Sequence, residues 1–353
     1  MKSISLISAV LALASFSNAQ CGSAPDATVD GADGAYTASM GSEVVYEGAD
    51  YLVAIQTALD TIAEGQTVSV IADGSIGEGT ISISSGKTFE GCGIIDAGFN
   101  SGRGAIESLD TADVSIPYLT MTGAPYFGMR FYGTSGLSLG EITMNLSGGL
   151  GIRFERDEAG STDVSMGTIT VTGAGSHAVE TWNIDGLTIG SVIARDVGEC
   201  GLLIQETTNA QIGLVDGDNV AAGNGYATFR MANNNGQTSD GGYEPNVFVD
   251  SVVSRGGGRG IFCVSQSGAA VIESIDLADN ENNAILIENC YNVAINSGTV
   301  NGGGEVRISA RDEFPNTSDI ALNIEVNDNT VRESPCGENM SLVISGNAAV
   351  DIC

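Results

Sequence analysis

Lysine is almost absent from this sequence. Of 13 basic residues among 353, only Lys2 and Lys87 are lysines, and the arginines all lie between Arg103 and Arg332. Against them stand 44 acidic residues, giving a formal charge of −31. That balance argues against a nucleic-acid partner, because a polyanion is repelled before any local contact forms. There is one histidine, His177, and one tryptophan, Trp182, and proline is scarce at six residues. No cysteine or histidine spacing resembles a zinc or redox motif. Beyond the N-terminus no run reaches about 18 apolar residues, so no membrane-spanning helix is expected, and the mature protein reads as a soluble monomer. Disorder is excluded as well, since hydrophobic residues make up 42% of the chain.

Residues 1–19 read as a secretory signal peptide: Lys2, an apolar stretch from Ile4 to Phe16, and a small-residue cleavage site at Ser17-Asn18-Ala19. Secretion to the extracellular space is the expectation, with sequons at Asn145, Asn316 and Asn339 as candidate glycosylation sites. Seven cysteines suit an oxidising compartment but are too few for a disulfide scaffold. Cys21 with Cys92, and Cys336 with Cys353, are the expected pairs, one clamping each end. Cys200, Cys263 and Cys290 remain, so at least one thiol is expected free, and Cys263 reads as a small buried apolar residue.

Glycine is abundant, at 49 residues, and internal repeats explain why. Eight segments align: Gly128 to Tyr132, Gly151 to Glu155, Ala178 to Trp182, Gly201 to Gln205, Tyr226 to Arg230, Gly260 to Val264, Ala284 to Glu288 and Glu305 to Ser309. Their second and fourth positions are mostly apolar, which is strand alternation with one face buried. Most recur every 21–27 residues, with one long step holding a polar insertion from Asn233 to Pro245. Eight residues after most anchors stands Gly136, Gly186, Asn209, Gly268 or Asn292, types that enter the left-handed region cheaply. Further short strands follow in each repeat. Three strands per repeat describe a coil of a single-stranded right-handed parallel β-helix. Residues 49–64 read as an amphipathic capping helix, with Leu52, Val53, Leu59 and Ile62 apolar and Gly65 ending it. The expected organisation is a signal peptide over 1–19, a capped β-helix over 20–330 and a C-terminal capping segment over 331–353.

Ala54 to Asp60, Thr67 to Ile71 and the Ser85-Gly-Lys-Thr-Phe-Glu-Gly91 turn resemble the opening of the pectate-lyase-like (pectin-lyase-like) superfamily, and the resemblance covers most of residues 45–330. It implies the β-helix fold and work on an extracellular polysaccharide. It does not choose the reaction, because that fold hosts lyases, hydrolases, epimerases and adhesins. The Gly-His-Gly and companion motifs of polygalacturonase-like hydrolases are missing, as is the Arg-x-Pro-x-x-Arg pattern of the best-known pectate lyases.

Coils stack about 4.8 Å apart, so outward residues form ladders. The third-position ladder contains Arg130, Arg153, Glu180, Leu203, Thr228 and Phe262; the fifth contains Tyr132, Glu155, Trp182, Gln205 and Arg230. A polysaccharide lyase is the leading expectation. Arg130, Arg153 or Arg230 would neutralise a uronate carboxylate, and His177 or Tyr132 would take the C5 proton. Trp182 offers a sugar platform, with Gln205 beside it. A glycoside hydrolase using Glu155 and Glu180 is the alternative, with Cα atoms about 8 Å apart, a spacing compatible with an inverting pair. A non-catalytic, glycan-binding or adhesive solenoid is the third. No motif names a cofactor, and Ca²⁺ is the candidate, with Asp216-Gly-Asp218 and the stretch Asp276 to Glu281 as candidate ligands.

Overall fold

With every second residue of each short strand apolar, the chain buries them by winding rather than by folding back. The computed structural model describes residues 21, 22 and 24–353, so the expected leader lies outside the described residues. The chain forms a right-handed parallel β-helix of about 12 turns. Strands Gly104–Leu109, Phe127–Tyr132, Leu150–Phe154, Val179–Trp182, Leu202–Gln205 and Ala227–Ala232 pair in parallel, one per coil. Longer strands such as Ser161–Thr172 and Ile184–Arg195 carry the rest of each coil. The ladder runs on through Thr330–Glu333 and Ala349–Asp351.

The core is a stack of rungs. Met129, Ile152, Val179, Leu202 and Phe229 succeed one another, and the Phe131 and Phe154 rings lie 5.2 Å apart beside them. All these residues, with Ile204, are at most 1% exposed. The expected left-handed positions are left-handed: φ is 69° at Gly136, 84° at Gly186, 52° at Asn209, 155° at Gly268 and 55° at Asn292. At Gly268 a side chain is also barred by space, because a Cβ there would stand 1.7 Å from the Tyr291 carbonyl oxygen.

The N-terminal cap departs from expectation in two ways. The helix runs Tyr51–Thr61, opened by the Asp50 carboxylate accepting from Val53 N–H at 3.0 Å. Its buried face is Tyr51, Ala54, Ile55, Ala58 and Leu59, while Val53 is 42% exposed. The apolar stripe is therefore rotated from the one read in the sequence, because alanines fill the tight contact. Before the helix, strands Ala27–Ala32, Ala35–Met40 and Glu43–Gly48 form an antiparallel meander whose first strand joins Thr67–Val70 in parallel. Its first turn is Asp33-Gly34, both at positive φ, a local hairpin signal that repeat analysis passes over.

Cys21–Cys92 and Cys336–Cys353 are bonded as expected. Cys263 is not simply a small apolar residue: it points into the core and bonds Cys290 at the turn of the next coil. Cys200 is the free thiol, fully buried, and burial pushes it up to about 12. Three disulfides fit an oxidising compartment. Among the described residues no helix is long and apolar enough to cross a membrane. Of the sequon asparagines, Asn145 and Asn339 are exposed, while Asn316 is half-buried and donates to Cys336 O at 2.8 Å.

One rung differs from the alignment. Arg230, not Thr228, stands between Leu203 and Phe262 in the third-position ladder. Thr228 is buried, its hydroxyl 2.7 Å from that of Ser254. The loop before this strand takes two more residues than the alignment allowed. An even slip keeps side-chain parity, so Arg230 still points outward.

Candidate functional site

The outer face of the short-strand sheet gathers the predicted residues into two adjoining groups. The first is a charge ladder. Arg130 and Arg153 occupy neighbouring rungs, where like charges repel unless something intervenes. Glu155 intervenes, accepting from Arg130 Nε at 2.6 Å and from Arg153 Nε at 3.2 Å. Glu107, one rung before Arg130, accepts from Arg130 Nη1 at 3.3 Å and from Arg103 at 2.7 Å. Arg153 Nη1 also donates to Glu180.

Glu180 is 6% exposed and fully engaged. Its Oε1 accepts from the Trp182 indole N–H and from Gln205 Nε2, each at 2.9 Å. Gln205 in turn accepts from Asn233 at 2.6 Å. Burial pushes the Glu180 carboxyl up, but His177, Arg153 and the indole N–H outweigh it and hold the group below the ordinary value. Trp182 is itself 6% exposed, with the Arg156 guanidinium 5.2 Å over its ring. It is a buried donor to Glu180, not the open sugar platform expected. Tyr132 meets this ladder at Arg130, whose guanidinium sits 5.4 Å above the phenol ring.

The second group centres on His177. Its Nδ1 accepts from the Cys200 backbone N–H at 3.0 Å, which leaves the proton on Nε2, 3.1 Å from Glu199 Oε2 and 3.8 Å from Glu180 Oε2. Burial pushes the imidazole below its ordinary value, against the pull of both carboxylates, so it is neutral near pH 7. A neutral histidine with both nitrogens engaged orients its neighbours and has no lone pair free to take a substrate proton. Glu199 is more open, at 30%, and also accepts from Ser176. The Tyr226 ring meets His177 edge-on at 5.3 Å. Burial and Glu199 push the Tyr226 phenol up, so it stays protonated.

Arg230 lies 4.9 Å over Tyr226 and 5.0 Å over Phe262, and Arg259 lies 4.6 Å over Phe262. Neither makes an ion pair with a carboxylate among the described residues. Arg230 Nε is buried with no acceptor, whereas Arg259 donates to Asn283 Oδ1 at 3.0 Å and to the Gly225 carbonyl and feels Glu288 at longer range. Burial and Arg230 together push Arg259 down, against the pull of Glu288. Around them Leu203, Phe262, Val264 and Leu286 form an apolar cluster outside the main core.

Glu107, Glu199, Tyr226 and Arg259 were missed in the sequence. Glu107 was findable, since Gly104-Ala-Ile-Glu continues the anchor pattern one coil earlier. Glu199 precedes its strand, Tyr226 falls before its strand because of the two-residue slip, and Arg259 opens its strand one residue before the aligned anchor Gly260. Phe99, 57% exposed, and Tyr126, 36% exposed, pack edge-on at 5.4 Å beside this sheet, and are the open aromatic surface that Trp182 is not. In the acidic stretches offered for Ca²⁺, Asp216 pairs with Arg195 at 2.6 Å, and Asp276 with Arg255. The insertion after Ala232 touches this site only at Asn233. Farther on, it borders a separate cleft.

No family model matches the chain, and a search of curated proteins finds no match. Among solved structures, the chain is similar to the A-module of a mannuronan C-5 epimerase from Azotobacter vinelandii. Identity is 14%, the TM-score 0.49, and the match covers 86% of this chain and 92% of that one. At that distance the likeness carries no argument about substrate or chemistry.

Proposed function

We propose that this is a secreted polysaccharide lyase of the pectate-lyase-like superfamily, cleaving a uronic-acid glycan by β-elimination on the face around Arg230. The observation that carries the reading is the pair Arg230 and Arg259, which flank Phe262 without a direct ion pair to any described carboxylate, with Arg230 Nε buried and unpaired. In a chain of charge −31, two adjacent cations without a direct ion pair are costly unless an anion completes them. A uronate carboxylate would accept from both guanidiniums, and its neutralisation acidifies the C5 proton.

The remaining steps fall to neighbouring groups. Glu199, held by His177 and Ser176, takes the C5 proton. The C5–H electron pair forms the C4–C5 double bond, and the C4–O bond breaks. Tyr226, protonated and beside Arg230, gives its proton to the departing oxygen. Proton exchange with water resets both groups. The Glu155–Glu180 hydrolase reading loses support, because both carboxylates share Arg153 and Glu180 is held ionised. An inverting pair needs one of them protonated.

A non-catalytic glycan-binding surface is the second reading, favoured by the burial of His177, Glu180, Trp182 and Gln205. Incubation with polygalacturonate, alginate and glucuronan separates the readings. Ultraviolet absorbance from an unsaturated product on one polymer is expected. Retention of a polymer without absorbance or new reducing ends would favour binding alone, and new reducing ends without absorbance would favour hydrolysis.

A further inference from the structure

The Asn233–Pro245 insertion builds a cleft of about 630 Å³ at the turn edge of the helix, away from the arginine pair. Its volume lies within the roughly 300–1,000 Å³ typical of small-molecule sites. Tyr243 and Tyr291 form its aromatic wall, with ring centroids 4.9 Å apart and planes tilted 55°. Both phenols are pinned to backbone: Tyr243 donates to Gln266 O, and Tyr291 to Pro315 O at 3.2 Å. The rings are thus fixed with their hydroxyls already spent. Burial pushes the Tyr243 phenol up to about 12, so this anchoring donor is not lost at any ordinary pH.

The insertion is tied down independently. Asn292 donates to Tyr243 O at 2.7 Å, and Asn246 donates to Gly236 O at 2.7 Å. The cleft is therefore preformed, which spares a ligand the cost of ordering a loop. Its polar lining consists of amides and carboxylates, including Gln237, Gln266, Glu244 and Asp319, and no cation.

We infer that this cleft is a binding site for a neutral saccharide. An aromatic face suits the apolar face of a pyranose, and amides and carboxylates suit hydroxyl groups on its rim. A uronate is disfavoured there, because Glu244 and Asp319 repel its carboxylate with no arginine to compensate. The cleft would hold a neutral glycan chain or branch, independently of any reaction at Arg230.

Calorimetric titration of the intact secreted chain with cello-, xylo-, manno- and chito-oligosaccharides, and with a uronate oligomer, tests this. At least one neutral series is expected to bind. Tyr291→Ala should weaken it about tenfold, whereas Tyr291→Phe, which keeps the ring, should stay within about threefold. Arg230→Gln should leave it unchanged, so failure of the lyase reading and failure of this one are separable. Melting temperatures of the variants confirm that they are folded. Absence of binding by every neutral series overturns the inference, as does binding that neither Tyr291→Ala nor Gln266→Ala alters. Loss of uronate rather than neutral binding in Tyr291→Ala also overturns it.

Discussion

The Cys200 backbone N–H donates to Nδ1 of His177 at 3.0 Å. This bond joins adjacent coils and fixes the tautomer of the chain's one histidine. Burial pushes that imidazole below 6.5. A group whose folded pKa is depressed stabilises the fold above its unfolded value, and that stability is lost as pH falls. The melting temperature should therefore drop as pH is lowered through about 6.5, above the ordinary carboxylate range. In His177→Gln, whose amide oxygen can accept from Cys200, that first drop should vanish. An NMR titration showing the imidazole protonating at or above 6.5 would contradict this.

Arg153 holds both Glu155 and Glu180. Removing it in Arg153→Ala leaves a buried carboxylate short of its cation, which costs about 3 kcal/mol. Denaturant unfolding of Arg153→Ala should show that loss. Glu180→Gln should lose less, because the Trp182 and Gln205 donors keep an acceptor oxygen. A change below about 0.5 kcal/mol in Arg153→Ala would mean that the ladder is a solvated surface pair.

The fold was legible because it repeats. Alternation in the anchors placed Met129, Ile152, Phe154 and Phe229 inside, and the Gly/Asn positions gave the turns, since both signals recur in coil after coil. What does not repeat was harder to read. The two-residue slip at Arg230 came from one longer loop, and the meander before the helix occurs once. The site was legible in its charged ladder but not in its exposure. Sequence parity says which side chains leave the core, yet nothing in it says that Arg156 covers Trp182, or that Glu199 and Tyr226 approach from outside the strands.

Cys263–Cys290 closes a loop of 27 residues. Constraint of the unfolded chain by such a loop is worth about 3.5 kcal/mol in the chain-entropy model. Cys290→Ala should unfold earlier by that order. Thiol titration of the unreduced wild-type protein should find no reactive group in the native state and one, Cys200, after denaturation. Two or more thiols would contradict the assigned pairing.

Phe99 and Tyr126 stand open beside the charged face. If a polymer runs along that face, Tyr126→Ala should raise KM for long chains several-fold, by about 1 kcal/mol of stacking, with kcat nearly unchanged. Equal KM for long and short substrates in wild type and variant would place the polymer elsewhere.

The most direct test of the account is the rate of unsaturated-product formation in wild type and Arg230→Gln on whichever uronate polymer the wild type cleaves. Loss of carboxylate neutralisation should lower kcat/KM at least about 100-fold, with the melting temperature preserved. Full activity in Arg230→Gln, or no unsaturated product from the wild type on any uronate polymer, would contradict it.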